Sequence, residues 1–357
     1  MMVQGHTVYC LLNEVISESD GLFWQLWTFV RGFTAPIFLM VSGLVHIFVN
    51  KRDENGRLKV EIVKKRLTVC IVLLFVGYLL QFPATNIFYI PFLSQSLMKS
   101  FLKVNVLQLF SVSLLLLTFL FIIAKNNKTL ATICFVVGNI LIFSSHFLLQ
   151  INYDNSEIPL SIVQYLTFNF DSIFPIAPFT GYLLLGTSFG YLLLNIPTEN
   201  RNKYIITRFT TIGLVYLLLG ILLNYFYKSG GYELIGVCKL NMGISVYRVG
   251  ISLLVIVAGT LVSSKLTRFE KIITILSNRS LFIYVFHLIL IYGTAITPGV
   301  GHFFYNVDVF TAFYCAVFVV FFSILFVVLY DYVSKRPHFR YLSRYFIVAL
   351  LIYMLLL

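Results

Sequence analysis

Val309-Phe-Thr-Ala-Phe-Tyr-Cys-Ala-Val-Phe-Val-Val-Phe-Phe-Ser-Ile-Leu-Phe-Val-Val-Leu-Tyr330 carries no charged side chain. A run of that length covers the roughly 20 residues that a helix needs to cross hydrocarbon. It also lacks the alternation of apolar and polar residues that a membrane β-strand would show. Only a helix satisfies its own backbone hydrogen bonds over such a stretch in lipid. Working outward, comparable apolar segments recur near 1–16, 25–49, 67–82, 104–124, 129–150, 173–195, 209–227, 245–263, 280–297 and 345–357. With 309–333 they predict an all-α, polytopic bundle of about 10–11 transmembrane segments. The first and last are short for a full crossing at about 1.5 Å per residue.

Composition agrees. The chain is 59% hydrophobic and 11% charged, more apolar than a water-soluble core requires. No Gly/Ser linker, soluble module or internal repeat interrupts it, so residues 1–357 are expected to form a single membrane domain.

The net charge of +12 is sorted by loop rather than gathered on a nucleic-acid-binding module. Seven Lys/Arg lie in Lys51–Arg66, two in Lys125–Lys128, three in Arg201–Arg208, four in Lys265–Arg279 and four in Lys335–Arg344. These are alternate loops, and the others hold Glu18, Asp20, Asp154, Glu157, Asp171, Glu233 and Asp308. By the positive-inside rule the basic loops face the cytoplasm, and a cytoplasmic (inner) membrane is the expected location. Lipid is therefore the expected surrounding, and nucleic acid is not expected as a partner. The five cysteines are dispersed without a C-x-x-C, and neither a thiolate metal site nor a disulfide frame is expected.

Ionisable groups inside a bilayer cost several kcal/mol, so each needs a reason. Four stand out: His6, Arg31, Arg248 and His287. His6 can serve as a general base, or bond to a neighbouring helix. Ser280, Tyr284, His287 and Thr294 share one helical face, which turns into the bundle either as helix-to-helix glue or as part of a binding site. Arg248 either binds an anionic group or snorkels to the interface. Arg31 and Ser42 fall near one face of their helix, where Ser42-Gly43 suits close helix packing. Asp171, followed by Pro175 and Pro178, stands at a helix mouth, where it either orients a partner or is a solvated loop acid. No Walker loop, G-x-G-x-x-G, H-E-x-x-H or G-x-S-x-G motif occurs.

Taken together, Met2-Val-Gln-Gly-His6-Thr, Ala35-Pro-Ile-Phe-Leu-Met-Val-Ser42-Gly43 and Phe174-Pro-Ile-Ala-Pro178-Phe-Thr-Gly-Tyr-Leu-Leu-Leu-Gly186 resemble the transmembrane acyltransferases related to heparan-α-glucosaminide N-acetyltransferase. Ser280-Leu-Phe-Ile-Tyr-Val-Phe-His287 resembles a late helix of that family and, more distantly, of bacterial polysaccharide O-acyltransferases. The resemblance implies an acyl donor, acetyl-CoA, arriving from the cytoplasm, and a saccharide or glycan acceptor on the opposite face. It implies no metal. It places the essential first-helix histidine on His6, an entrance on Asp171, Pro175 and Pro178, and a pocket residue on His287. Arg31, Ser42, Arg248 and Tyr284 are carried as further substrate-binding candidates. The family also carries an Arg-Gly pair upstream of its histidine; a start before Met1 would supply it and move His6 deeper into the bilayer. A homodimer is a further expectation. The rival reading is a secondary transporter that moves a small polar or anionic solute past Arg31, Arg248 and His287.

Overall fold

Long apolar runs do become helices. The computed structural model describes residues 2–12, 21–50, 52–53, 56–84, 86–153, 157–168, 172–229, 241–263, 265–294 and 297–336. In chain order its main helices are α1 (Met2–Leu11), α2 (Leu22–Arg31), α3 (Thr34–Val49), α4 (Val60–Leu79), α5 (Gln95–Leu102), α6 (Val106–Ile123) and α7 (Asn127–Gln150). They continue as α8 (Ile176–Leu194), α9 (Thr198–Tyr204), α10 (Thr210–Ser229), α11 (Met242–Ser263), α12 (Glu270–Asn278), α13 (Ser280–Tyr292) and α14 (Val309–Ser334). The β pairing among the described residues consists of isolated bridges, Leu12 with Val307 and Arg52 with Leu58.

Seven helical stretches among the described residues are long and apolar enough to cross a membrane, and α12 with α13 makes an eighth if that pair, bent by 71°, counts as one span. The chain is thus an all-α, multi-pass membrane protein. Segment 1–16 appears as the ten-residue α1, with residues 13–16 outside the described set. Segment 67–82 is the apolar part of α4, which begins earlier and carries Glu61, Lys64, Lys65 and Arg66 in its first two turns. Segment 345–357 lies outside the described residues.

Contacts divide the chain into two compact units. The larger comprises Gly32–Leu79 and Lys99–Ser264. Its axis is α8, buried almost throughout from Ala177 to Leu193, with α3 and α7 packed on it. Without a hydrophobic drive between helices in lipid, close approach depends on small residues. At Gly190 an added Cβ would lie 2.6 Å from the Leu44 carbonyl oxygen of α3. Gly43 faces the Leu183 backbone, and the Thr187 hydroxyl donates to the Gly43 carbonyl at 3.2 Å, so Gly43 is a point of close approach between α3 and α8. Buried hydroxyls bond across helices: Ser113 with Thr180 at 2.7 Å, and Ser145 with Ser245 at 3.2 Å.

The smaller unit comprises Met1–Arg31, Leu80–Met98 and Lys265–Leu357. Here α1 packs against both α13 and α14. Leu11, Leu12 and Ala312 form its buried centre, with Val8, Cys10 and Trp24 against them. The Val307 N–H donates to the Leu11 carbonyl at 3.0 Å, which ties the end of α1 to the approach of α14. Asp308 then caps α14, accepting from the Phe310 and Thr311 N–H groups and from the Thr311 hydroxyl at 2.6 Å. Phe286 stacks on Phe326 with ring centroids 3.9 Å apart, joining α13 to α14. Arg279, at the bend between α12 and α13, meets Asp331 of α14 at 3.2 Å, and Lys335 reaches the same carboxylate at 2.7 Å.

Candidate functional site

In the smaller unit, α1 and α13 bring two imidazoles together. Helical spacing puts Tyr284 and His287 on the buried face of α13, where His287 is 1% exposed. Its Nδ1 lies 2.9 Å from the Ile283 carbonyl oxygen one turn earlier. A carbonyl only accepts, so Nδ1 is the nitrogen that carries hydrogen. Nε2 is enclosed and has no hydrogen-bond partner. The ring of His6, from α1, has its centroid 5.5 Å from that of His287, at an interplanar angle of 45°. Tyr284 packs edge-on to His287 at 5.3 Å.

The other contacts of His6 come from Tyr292, the last residue of α13. The Tyr292 hydroxyl lies 3.4 Å from His6 Nδ1, with ring centroids 6.2 Å apart. A hydroxyl held at one ring nitrogen leaves the other for a substrate proton. Arg31, the last residue of α2, lies along α1: its aliphatic stem passes Gly5, and its guanidinium stands over the Tyr9 ring at 4.7 Å. Gly5 and Tyr9 flank His6 on α1, so Arg31 brings a positive charge to the histidine's helix.

Of the residues expected at the site, His6, Arg31, Tyr284 and His287 therefore gather in one unit. Ser42 and Arg248 lie in the other. The Ser42 carbonyl accepts from His46 Nδ1 at 2.6 Å. Arg248, half-buried on α11, lies near the hydroxyl of Tyr182, a fully buried residue of α8. Asp171 lies outside the described residues. Tyr292 was missed by sequence reading, because five residues after His287 it falls off the helical stripe that singled out Tyr284. Its nearness to His6 comes from the pairing of α1 with α13, which no local pattern encodes.

Among the described residues no three His, Cys, Asp or Glu side chains gather as a metal site. Residues 1–227 match the family described as heparan-alpha-glucosaminide N-acetyltransferase, catalytic. The chain belongs to this family. No curated protein and no solved structure matches it. Membership in the heparan-alpha-glucosaminide N-acetyltransferase family makes the chain a membrane acetyltransferase, an enzyme. The family match spans His6, Arg31 and Ser42 and ends before Arg248, Tyr284, His287 and Tyr292.

Proposed function

We propose that the protein moves an acetyl group from cytoplasmic acetyl-CoA to a saccharide or glycan acceptor on the extracytoplasmic side of the cell's inner membrane, with His6 as the base. The carrying observation is the placement of His6: an imidazole on the family-matched first helix, held by the Tyr292 hydroxyl and faced by a second, buried imidazole.

The acceptor hydroxyl or amine attacks the thioester carbonyl carbon and passes its proton to the free nitrogen of His6. The C–S bond then breaks, its electron pair stays on sulfur, and the thiolate takes up a proton to leave as CoA. A positioned base of this kind contributes about 10²–10⁴-fold. An acyl-histidine formed by attack of the same nitrogen is the other order of events open to this residue. Arg31 adds positive charge beside α1, which favours the oxyanion that develops on the carbonyl. The basic Lys51–Arg66 segment suits the side from which the anionic nucleotide of the donor arrives.

The test is CoA release by protein in lipid nanodiscs supplied with acetyl-CoA and a soluble glucosaminide. His6→Ala is expected to lose at least about 10²-fold in kcat. Turnover by His6→Ala equal to that of the unmodified protein removes the assignment.

A further inference from the structure

Why does the buried face of α13 carry a histidine where a leucine or phenylalanine would fill the same space? The Nδ1 hydrogen is committed to the Ile283 carbonyl. Nε2 is left as a lone pair, enclosed, with no donor facing it. With Nδ1–H committed to that carbonyl, the resting ring is neutral and Nε2 is its open acceptor. Buried polar atoms are nearly always paired, and one left open beside another imidazole asks for an explanation. Packing does not supply it, because Phe286 and Phe282 of the same helix already make the stacking contacts with α14.

We infer that His287 Nε2 is the acceptor for the proton that His6 collects, so that the two imidazoles work as a relay. This rests on the reading of His6 as the base. The two rings are neighbours, with centroids 5.5 Å apart and tilted by 45°, across the contact of α1 with α13. The acceptor's proton moves to the free nitrogen of His6 as its oxygen or nitrogen bonds to the acetyl carbon, and that nitrogen then passes it to His287 Nε2. When the C–S bond breaks, the proton returns through His6 to the thiolate sulfur. Both rings end neutral, and acceptor plus acetyl-CoA gives acetylated acceptor plus CoA without a net proton.

Enclosure fits this role. A group that touches substrate must be reachable, whereas one that acts only through His6 is better shielded, and His287 is the more deeply buried of the pair. His287 is therefore a positioning residue rather than a catalytic one. It also lies beyond residue 227, so half of the relay comes from the part of the chain outside the family match.

The experiment measures kcat and KM for acetyl-CoA in nanodiscs for the unmodified protein, His287→Ala, His287→Gln and His6→Ala, each with and without added imidazole. In parallel, ¹⁵N-histidine NMR of the unmodified protein reads which ring nitrogen of His287 carries hydrogen. For His287→Ala we expect kcat to fall by about 10²-fold with KM unchanged, and free imidazole to restore part of the rate. His6→Ala should show no such rescue, and the NMR should find Nδ1–H with a bare Nε2. Unmodified kcat in both His287 variants, a loss carried by KM and thermal stability with no rescue, or an Nε2–H in the NMR overturns the relay. Loss of rate in His6→Ala beside full rate in the His287 variants removes the relay and leaves the base standing. No CoA release from the unmodified protein removes both.

Discussion

The Tyr292 hydroxyl and His6 Nδ1, 286 positions apart in sequence, meet at 3.4 Å. At that length the hydrogen bond is weak, and its service is to hold the imidazole's orientation rather than to supply binding energy. Tyr292→Phe is expected to lower kcat by no more than about 10-fold, the scale of one neutral hydrogen bond, with KM for acetyl-CoA unchanged. Steady-state CoA release decides it; a loss as deep as that of His6→Ala would mean that Tyr292 carries a proton itself.

Gly190 is a steric prediction. An added methyl group would meet the Leu44 carbonyl oxygen at 2.6 Å and Ile47 Cγ2 at 2.9 Å, and both belong to a helix pinned against α8. Gly190→Ala should destabilise the larger unit by about 1–3 kcal/mol. Thermal unfolding in detergent reads this directly, and an unchanged melting temperature would show that α3 can step aside.

Asp308 gives the start of α14 a pH dependence. The Thr311 hydroxyl, then the backbone N–H groups of Thr311 and Phe310, hold its carboxyl below the usual 3.8. A carboxylate whose folded value is depressed contributes stability that is present above the unfolded value and lost as pH falls through the folded one. The protein should therefore lose stability below about pH 4 by an increment that Asp308→Asn abolishes. Melting temperatures of the two proteins between pH 3 and 6 check this; parallel curves would deny the cap its role.

Topology can be tested without any activity. Single cysteines at Lys59 and Glu157, in a background with the native cysteines replaced, should label from opposite sides of sealed membrane vesicles, Lys59 from the cytoplasmic side. Labelling of both from one side contradicts the loop-charge assignment.

The helices were legible wherever hydrocarbon and charge change together. The uncharged run from Val309 to Tyr330 lies within α14 with little adjustment. The start of α4 was not, because backbone hydrogen bonding continues past the apolar boundary into Glu61–Arg66, where water and headgroups accept charged side chains. The 71° bend between α12 and α13 has no proline or glycine to announce it; it falls at Arg279, which bonds to Asp331, a partner 52 residues away. The candidate site divides in the same way. Tyr284 and His287 could be placed on a common face because they share one helix. That α1 would lie beside that face, bringing His6, and that Arg248 would lie near Tyr182 instead, depended on which spans are neighbours. Apolar helices in lipid carry little local information on that choice.

The Arg279–Asp331–Lys335 clamp fixes a depth. His287 follows Arg279 by eight residues on a helix that rises about 1.5 Å per residue, so the imidazole stands about 12 Å along α13 from a charged anchor. Charged groups are costly in hydrocarbon, which favours the headgroup boundary for a guanidinium and an ammonium sharing a carboxylate. The distance from that boundary to the paired histidines is thus written into α13 itself, and a thinner or thicker bilayer would shift the lipid around the relay while leaving the relay's own spacing unchanged.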